Sequence, residues 1–157
     1  MYNKILAPLD GSEFSECSLE HVKTIARGCQ VPEIILLRVV EPIHAADMAS
    51  YAEAGIDTVS LMRDVEAAAK TYIAKTAENL KKDGLPVKAE VVTGWAGDTI
   101  MKYAEDNQVD LIIMSTHGRS GIGRWFMGSV AEKVVRHSHI PVLTVSPAGC
   151  RPNQPEK

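Results

Sequence analysis

The sequence predicts an open, doubly wound α/β domain, with a parallel sheet and helices on both faces. Three observations carry this. Short apolar runs alternate with longer stretches of helical period along most of the chain. Two of those runs, Ile34-Ile35-Leu36-Leu37 and Leu111-Ile112-Ile113-Met114, are unbroken. Unbroken runs suit parallel strands buried on both faces, whereas a half-exposed sheet alternates. The second run also leads through Ser115-Thr116-His117-Gly118, then nine residues, then Gly128-Ser129, into the helical pattern Val130, Ala131, Val134, Val135.

The elements follow in order. Residues 5–9 read as a first strand that stops at Asp10-Gly11-Ser12. Ser12 is placed to cap a helix, with Glu13 and Glu16 in its first turn suiting the dipole. Leu19, Val22 and Ile25-Ala26 share that helix's apolar face. Residues 33–40 form a second strand. Residues 41–58 have no clean period and hold Pro42 and Gly55, so a long, partly helical loop near the crevice mouth is expected. Leu61, Val65, Ala68, Tyr72, Ile73, Ala77 and Leu80 then mark a long helix. It ends at Asp83-Gly84, and Pro86 prevents continuation. Residues 87–93 alternate as a third strand. A short helix over 97–106, a fourth strand over 109–115, a helix over 129–137 and a fifth strand over 140–146 complete the pattern. Residues 1–147 make one domain, and the polar, Pro-bearing tail 148–157 is expected to be disordered.

Composition narrows the function. The chain has 157 residues, 24% charged, with a net charge of -3 and no dense basic patch. Nucleic acid is therefore disfavoured as a partner, because phosphate-backbone binding needs clustered Lys and Arg. No apolar run approaches the ~20 residues of a membrane span. Cys17, Cys29 and Cys150 are odd in number and widely spaced, with no Cys-x-x-Cys, so no disulfide framework or zinc knuckle is expected. A reduced, cytoplasmic setting is the simplest reading.

The candidate chemistry lies after the fourth strand. The first N–H groups of a helix lack internal partners and carry partial positive charge, so a helix starting at Gly128-Ser129 offers an anion site. Gly128 has no Cβ to hinder a phosphate. Ser129 can cap the helix or donate its hydroxyl. The same pair could serve only as a turn and cap, but Gly118 and the buried strand ahead favour phosphate. Asp10 can close a turn, accept from a ribose hydroxyl, or hold a metal bound to phosphate. Arg119 flanks the loop and can screen phosphate charge, and His117 beside Gly118 can line the site. No metal ligand is assigned among the histidines. The Walker pattern Gly-x4-Gly-Lys-Ser/Thr is absent from the sequence, so catalysis is at most a slow ATPase or phosphotransferase.

These residues resemble the universal stress protein family, whose nucleotide-binding branch carries Gly-x2-Gly-x9-Gly-Ser/Thr after the fourth strand. Ser115, Gly118, Gly128 and Ser129 stand at its four positions. Ile5-Leu6-Ala7-Pro8-Leu9-Asp10, Leu36-Leu37-Arg38-Val39-Val40 and Ile140-Pro141-Val142-Leu143-Thr144-Val145 fit as well. The resemblance implies a Rossmann-like fold of the adenine nucleotide alpha hydrolase-like type, strand order 3-2-1-4-5, in a cytoplasmic dimer. It implies binding of ATP, AMP or ADP, with Mg through the phosphates and Asp10. Pro8, Leu9 and Asp10 would border ribose and adenine, and Val39 would meet adenine through its backbone. Met114, Ser115, His117, Gly118 and Arg119, with Gly128, Ser129 and Val130, would hold ribose and phosphates. The departure is Ser115 at the first glycine, which demands an ordinary backbone angle and adds a side chain near the ligand. In the implied order the apolar fifth strand, Val142 to Val145, is an edge through which two copies can pair.

Overall fold

The computed structural model describes residues 1–116 and 127–146. Five parallel strands, β1 (Lys4–Pro8), β2 (Glu33–Val40), β3 (Val87–Thr93), β4 (Leu111–Ser115) and β5 (Val142–Val145), form one sheet in the order β3-β2-β1-β4-β5. The helices are α1 (Glu13–Glu16), α2 (Ser18–Cys29), α3 (Ala45–Glu53), α4 (Thr58–Lys82), α5 (Ala96–Asp106) and α6 (Ser129–His137). Strand order reverses at β1, between β2 and β4. In open α/β sheets, ligand crevices form beyond the carboxyl ends of the strands at this point.

Side-chain alternation divides the core into two layers. Ile5, Ala7, Ile34, Leu36, Leu111 and Ile113 pack with Val22 and Ala26 of α2 and Ile73, Ala77 and Leu80 of α4. Their strand neighbours Leu6, Ile35, Leu37, Ile112 and Met114 pack on the other face with Ile100 and Ala104 of α5 and Ala131 and Val134 of α6. Both faces of the central strands are thus covered, as their unbroken apolar runs predict.

Two local readings change, and one is made specific. The first helix is interrupted between α1 and α2, where the Ser15 and Ser18 hydroxyls bond the carbonyls of Ser12 and Ser15 at 2.8 Å each. Such local bonds compete with helix continuation. The aperiodic loop contains α3, none of whose residues is buried. A helix here agrees with the partly helical loop expected, and with no buried face it leaves no apolar period to mark its bounds. Third, Cys17 is disulfide-bonded, Cys29 is a free thiol and Cys150 lies outside the described residues. The expectation of no disulfide therefore fails at Cys17, since spacing along the chain does not report proximity in space. The expected end of α4 is present, with Gly84 at φ +79°, a conformation only glycine adopts freely. The tail 148–157 and residue 147 lie outside the described residues.

Candidate functional site

A cavity of about 260 Å³ opens at the carboxyl ends of β1, β2 and β4. Pro8, Leu9 and Asp10 line it after β1, Val39 at the end of β2, Met114 and Ser115 at the end of β4, and Gly128, Ser129 and Val130 at the start of α6. These are sequence-predicted site residues, brought together although they are spread over most of the chain. His117, Gly118 and Arg119 lie outside the described residues.

The turn after β1 is closed on itself. Asp10 Oδ1 accepts from the Ser12 amide at 2.9 Å and the Ser12 hydroxyl at 2.6 Å. Ser12 Oγ accepts in turn from Ser15 N at 3.2 Å, which makes Ser12 the cap of α1 as expected. Gly11 between them has φ +85°, so the turn requires its glycine.

The start of α6 is built differently. Its N-cap is Gly128, at φ -60° and ψ 149°, with no side-chain cap bond. Ser129 is therefore the first helical residue and not the cap, a correction to the sequence reading. Gly128 N donates to the Thr116 carbonyl at 2.7 Å, and Thr116 N to the Val145 carbonyl at 2.9 Å, which hang this helix start from the end of the sheet. The N–H groups of the first turn have no intrahelical acceptor and lie at the positive end of the dipole. Ser115, buried at the end of β4, keeps an ordinary strand conformation, as a serine there must.

The opposite wall is apolar, formed by Leu37 and Val39 of β2, Ala96 and Ile100 of α5, and Met114. One polar backbone group faces it. Leu37 O accepts from Leu9 N on the β1 side at 2.9 Å, and Val40 O accepts from Gly94 N on the β3 side at 3.0 Å. Carbonyls alternate sides along a strand, so Val39 O points to the β1 side, past the residue where β1 has turned away. It accepts from Arg38 Nη1 at 2.9 Å. Among the described lining residues only Asp10 and Arg38 are ionisable.

Sequence reasoning missed Ser15, Leu37, Arg38, Ala96, Ile100 and Ala131 among the lining residues. A charge inside the apolar run of β2 was an available signal for Arg38. Ala96 and Ile100 carried none, because their place on the wall depends on how α5 docks.

The sequence and the fold match known proteins. Residues 1–146 fit the model of the universal stress protein family. The chain is 36% identical over 155 residues to universal stress protein MJ0577 of Methanocaldococcus jannaschii, covering 92% of this chain and 95% of that one. A solved structure of MJ0577 superposes with a TM-score of 0.79 at 34% identity, covering 98% of this chain and 99% of its own. At 21% identity and a TM-score of 0.63, a universal stress protein in complex with cAMP shares the fold over 92% of this chain and 97% of its own. An Arabidopsis thaliana family member with AMP bound does so at 17% identity and a TM-score of 0.61, over 92% and 90%. With a parallel five-stranded sheet in the expected order, a crevice at its switch point and a family match through the last strand, the chain belongs to the universal stress protein family.

Proposed function

We propose that the cavity binds an adenine nucleotide, ATP or its AMP and ADP relatives, and that the protein acts in stress response as a nucleotide sensor or effector. One observation carries the reading. A single cavity joins a helix start without a side-chain cap to an apolar slot edged by an outward-facing carbonyl. The helix end suits phosphate oxygens and the slot suits a flat base, whose amino group the Val39 carbonyl can accept. The volume of about 260 Å³ is near the ~300 Å³ at which small-molecule pockets begin, which suits one nucleoside with its phosphates along α6. The family members solved with AMP and cAMP support the choice of adenine.

Asp10 is suited to a ribose hydroxyl. Among the described residues no group of three potential metal ligands occurs, and Asp10 Oδ1 already takes two donors from Ser12. A Mg ion would thus be held mainly by the phosphates, with Asp10 as its one carboxylate. That is ordinary for Mg with nucleotides, where it supplies charge neutralisation. Binding without turnover fits a site that offers amides and a hydroxyl to the phosphates, because holding ground state and transition state equally gives affinity without rate.

The test is mass analysis of small molecules released from gently purified protein, followed by calorimetry with ATP, AMP and cAMP. Micromolar binding of at least one supports the reading. A protein purified empty that binds none of them is an interaction module instead. Sustained hydrolysis near ~1 s⁻¹, abolished by Gly128→Val, would make it an ATPase.

We also propose pairing of two copies through β5. It is an edge strand of four residues without a charge, Thr144 is exposed, and Val142 and Leu143 are half-buried. The other edge, β3, exposes Lys88 and Glu90, charges that discourage pairing. Val142→Lys with Thr144→Lys should shift the light-scattering mass from dimer to monomer. A wild-type monomer at micromolar concentration would count against this edge.

A further inference from the structure

We propose that Glu41, with His44 stacked on Trp95, positions the wall on which the nucleobase rests; the proposal builds on the nucleotide reading. The wall residues Ala96 and Ile100 both belong to α5, which starts at Ala96. A helix start needs acceptors for its first N–H groups. The N-cap of α5 is Trp95, which has no side-chain acceptor and makes no side-chain cap bond. Asp98 in the first turn is turned away from that task, since its Oδ2 accepts from Lys133 Nζ of α6 at 2.7 Å. The acceptor comes from another element. Ala96 N donates to Glu41 Oε1 at 3.0 Å, and a carboxylate here also suits the helix dipole.

Glu41 directly follows β2, two residues after Val39, whose carbonyl faces the cavity. One carboxylate therefore ties together the two elements that form this wall, the end of β2 and the first turn of α5. Three residues on, the His44 ring lies on Trp95 with centroids 4.6 Å apart and planes tilted by 34°. This second contact binds the same loop to the same helix start. Glu41, His44 and Trp95 are all exposed, and none belongs to either buried core layer. If the clamp opens, α5 can shift at its amino end while α6, where the phosphates would sit, remains hung from Thr116 and Val145.

The clamp therefore governs the base end alone, which calorimetry can separate from the phosphate end. Glu41→Ala should weaken adenosine and ATP by the same factor, about tenfold, whereas Gly128→Val should weaken ATP and leave adenosine near wild type. Glu41→Gln keeps an acceptor oxygen and should restore most of the lost affinity. In a Trp125→Phe background, where Trp95 is the one tryptophan of the chain, adenosine should shift the emission of the wild-type clamp but not of His44→Ala. Equal binding by wild type and Glu41→Ala overturns the proposal while the nucleotide reading stands. So does a loss confined to ATP, or a Glu41→Gln as weak as Glu41→Ala. A wild-type protein that binds neither adenosine nor ATP overturns both.

Discussion

The turn that follows β1 and the start of α6 line one cavity and spend their polar groups in opposite ways. In the first, Asp10, Ser12 and Ser15 bond one another, and the α1 cap is a serine side chain. In the second, the cap is a glycine whose own N–H is anchored to Thr116 and which makes no side-chain cap bond. A turn that satisfies itself is a rigid rim, and a helix start without a side-chain cap leaves its amides for a ligand. On the proposed nucleotide reading, the contrast assigns stability to Ser12 and Gly11, and affinity to Gly128.

Gly128→Val is the strongest way to break that contrast. Its φ of -60° and ψ of 149° suit valine, so the backbone carries no strain and the fold should survive. Binding of ATP should fall at least tenfold, ~1.4 kcal/mol or more. Calorimetry that returned wild-type affinity for the folded variant would sink the assignment of α6 as phosphate site. Gly11→Val should do the reverse. At φ +85° a side chain costs roughly 1–2 kcal/mol, read as a lower urea midpoint, with a smaller loss of ATP affinity than in Gly128→Val. A stability equal to wild type would mean the turn can relax.

Ser12→Ala sharpens the comparison, because it removes a helix cap and a donor to Asp10 together. About 1 kcal/mol of stability should be lost, along with a few-fold of ATP affinity as Asp10 loses its orientation. An affinity unchanged within twofold would leave Asp10 no part in binding.

The smallest effect is expected at the far, amino-terminal edge of the sheet. Glu33 of β2 accepts from Lys88 Nζ of β3 at 2.6 Å and lies 3.3 Å from Lys4 of β1. The Lys88 hydrogen bond, then Lys4, holds its carboxyl below the ordinary 4.5. A carboxylate with a depressed folded pKa stabilises above its unfolded pKa, and the contribution disappears as pH falls through the folded value. Glu33→Gln should therefore flatten the stability profile on the acid side of pH 4.5 and leave ATP binding untouched. Chemical denaturation across about pH 3 to 6 would read it, and a profile parallel to wild type would rule the pair out as a contributor.

Much of this was legible before folding. The nine-residue step from Gly118 to Gly128 located the start of α6 because a helix boundary is written in adjacent residues. Ser12 was recognised as a cap for the same reason. Ser129 was assigned one position too far along, since Gly and Ser both cap helices and only the backbone angles distinguish N-cap from first turn. The 41–58 loop is legible as partly helical, but not the bounds of α3, because a helix with no buried face has no apolar period to mark them.

The sequence by itself determined the alternation of strands and helices, the burial of both sheet faces and the local chemistry of each turn. These depend on periods of two and 3.6 residues and on caps a few residues wide. Tertiary structure decided what depends on pairing distant segments. The reversal at β1 brings Asp10 and Gly128 to one cavity, although the chain separates them by most of its length. β1 turns away while β2 continues, which aims the Val39 carbonyl into the cavity. Glu41 meets Ala96 only because α5 docks against the end of β2. Register, crossover and docking are set by the whole core at once, so no window of sequence contains them.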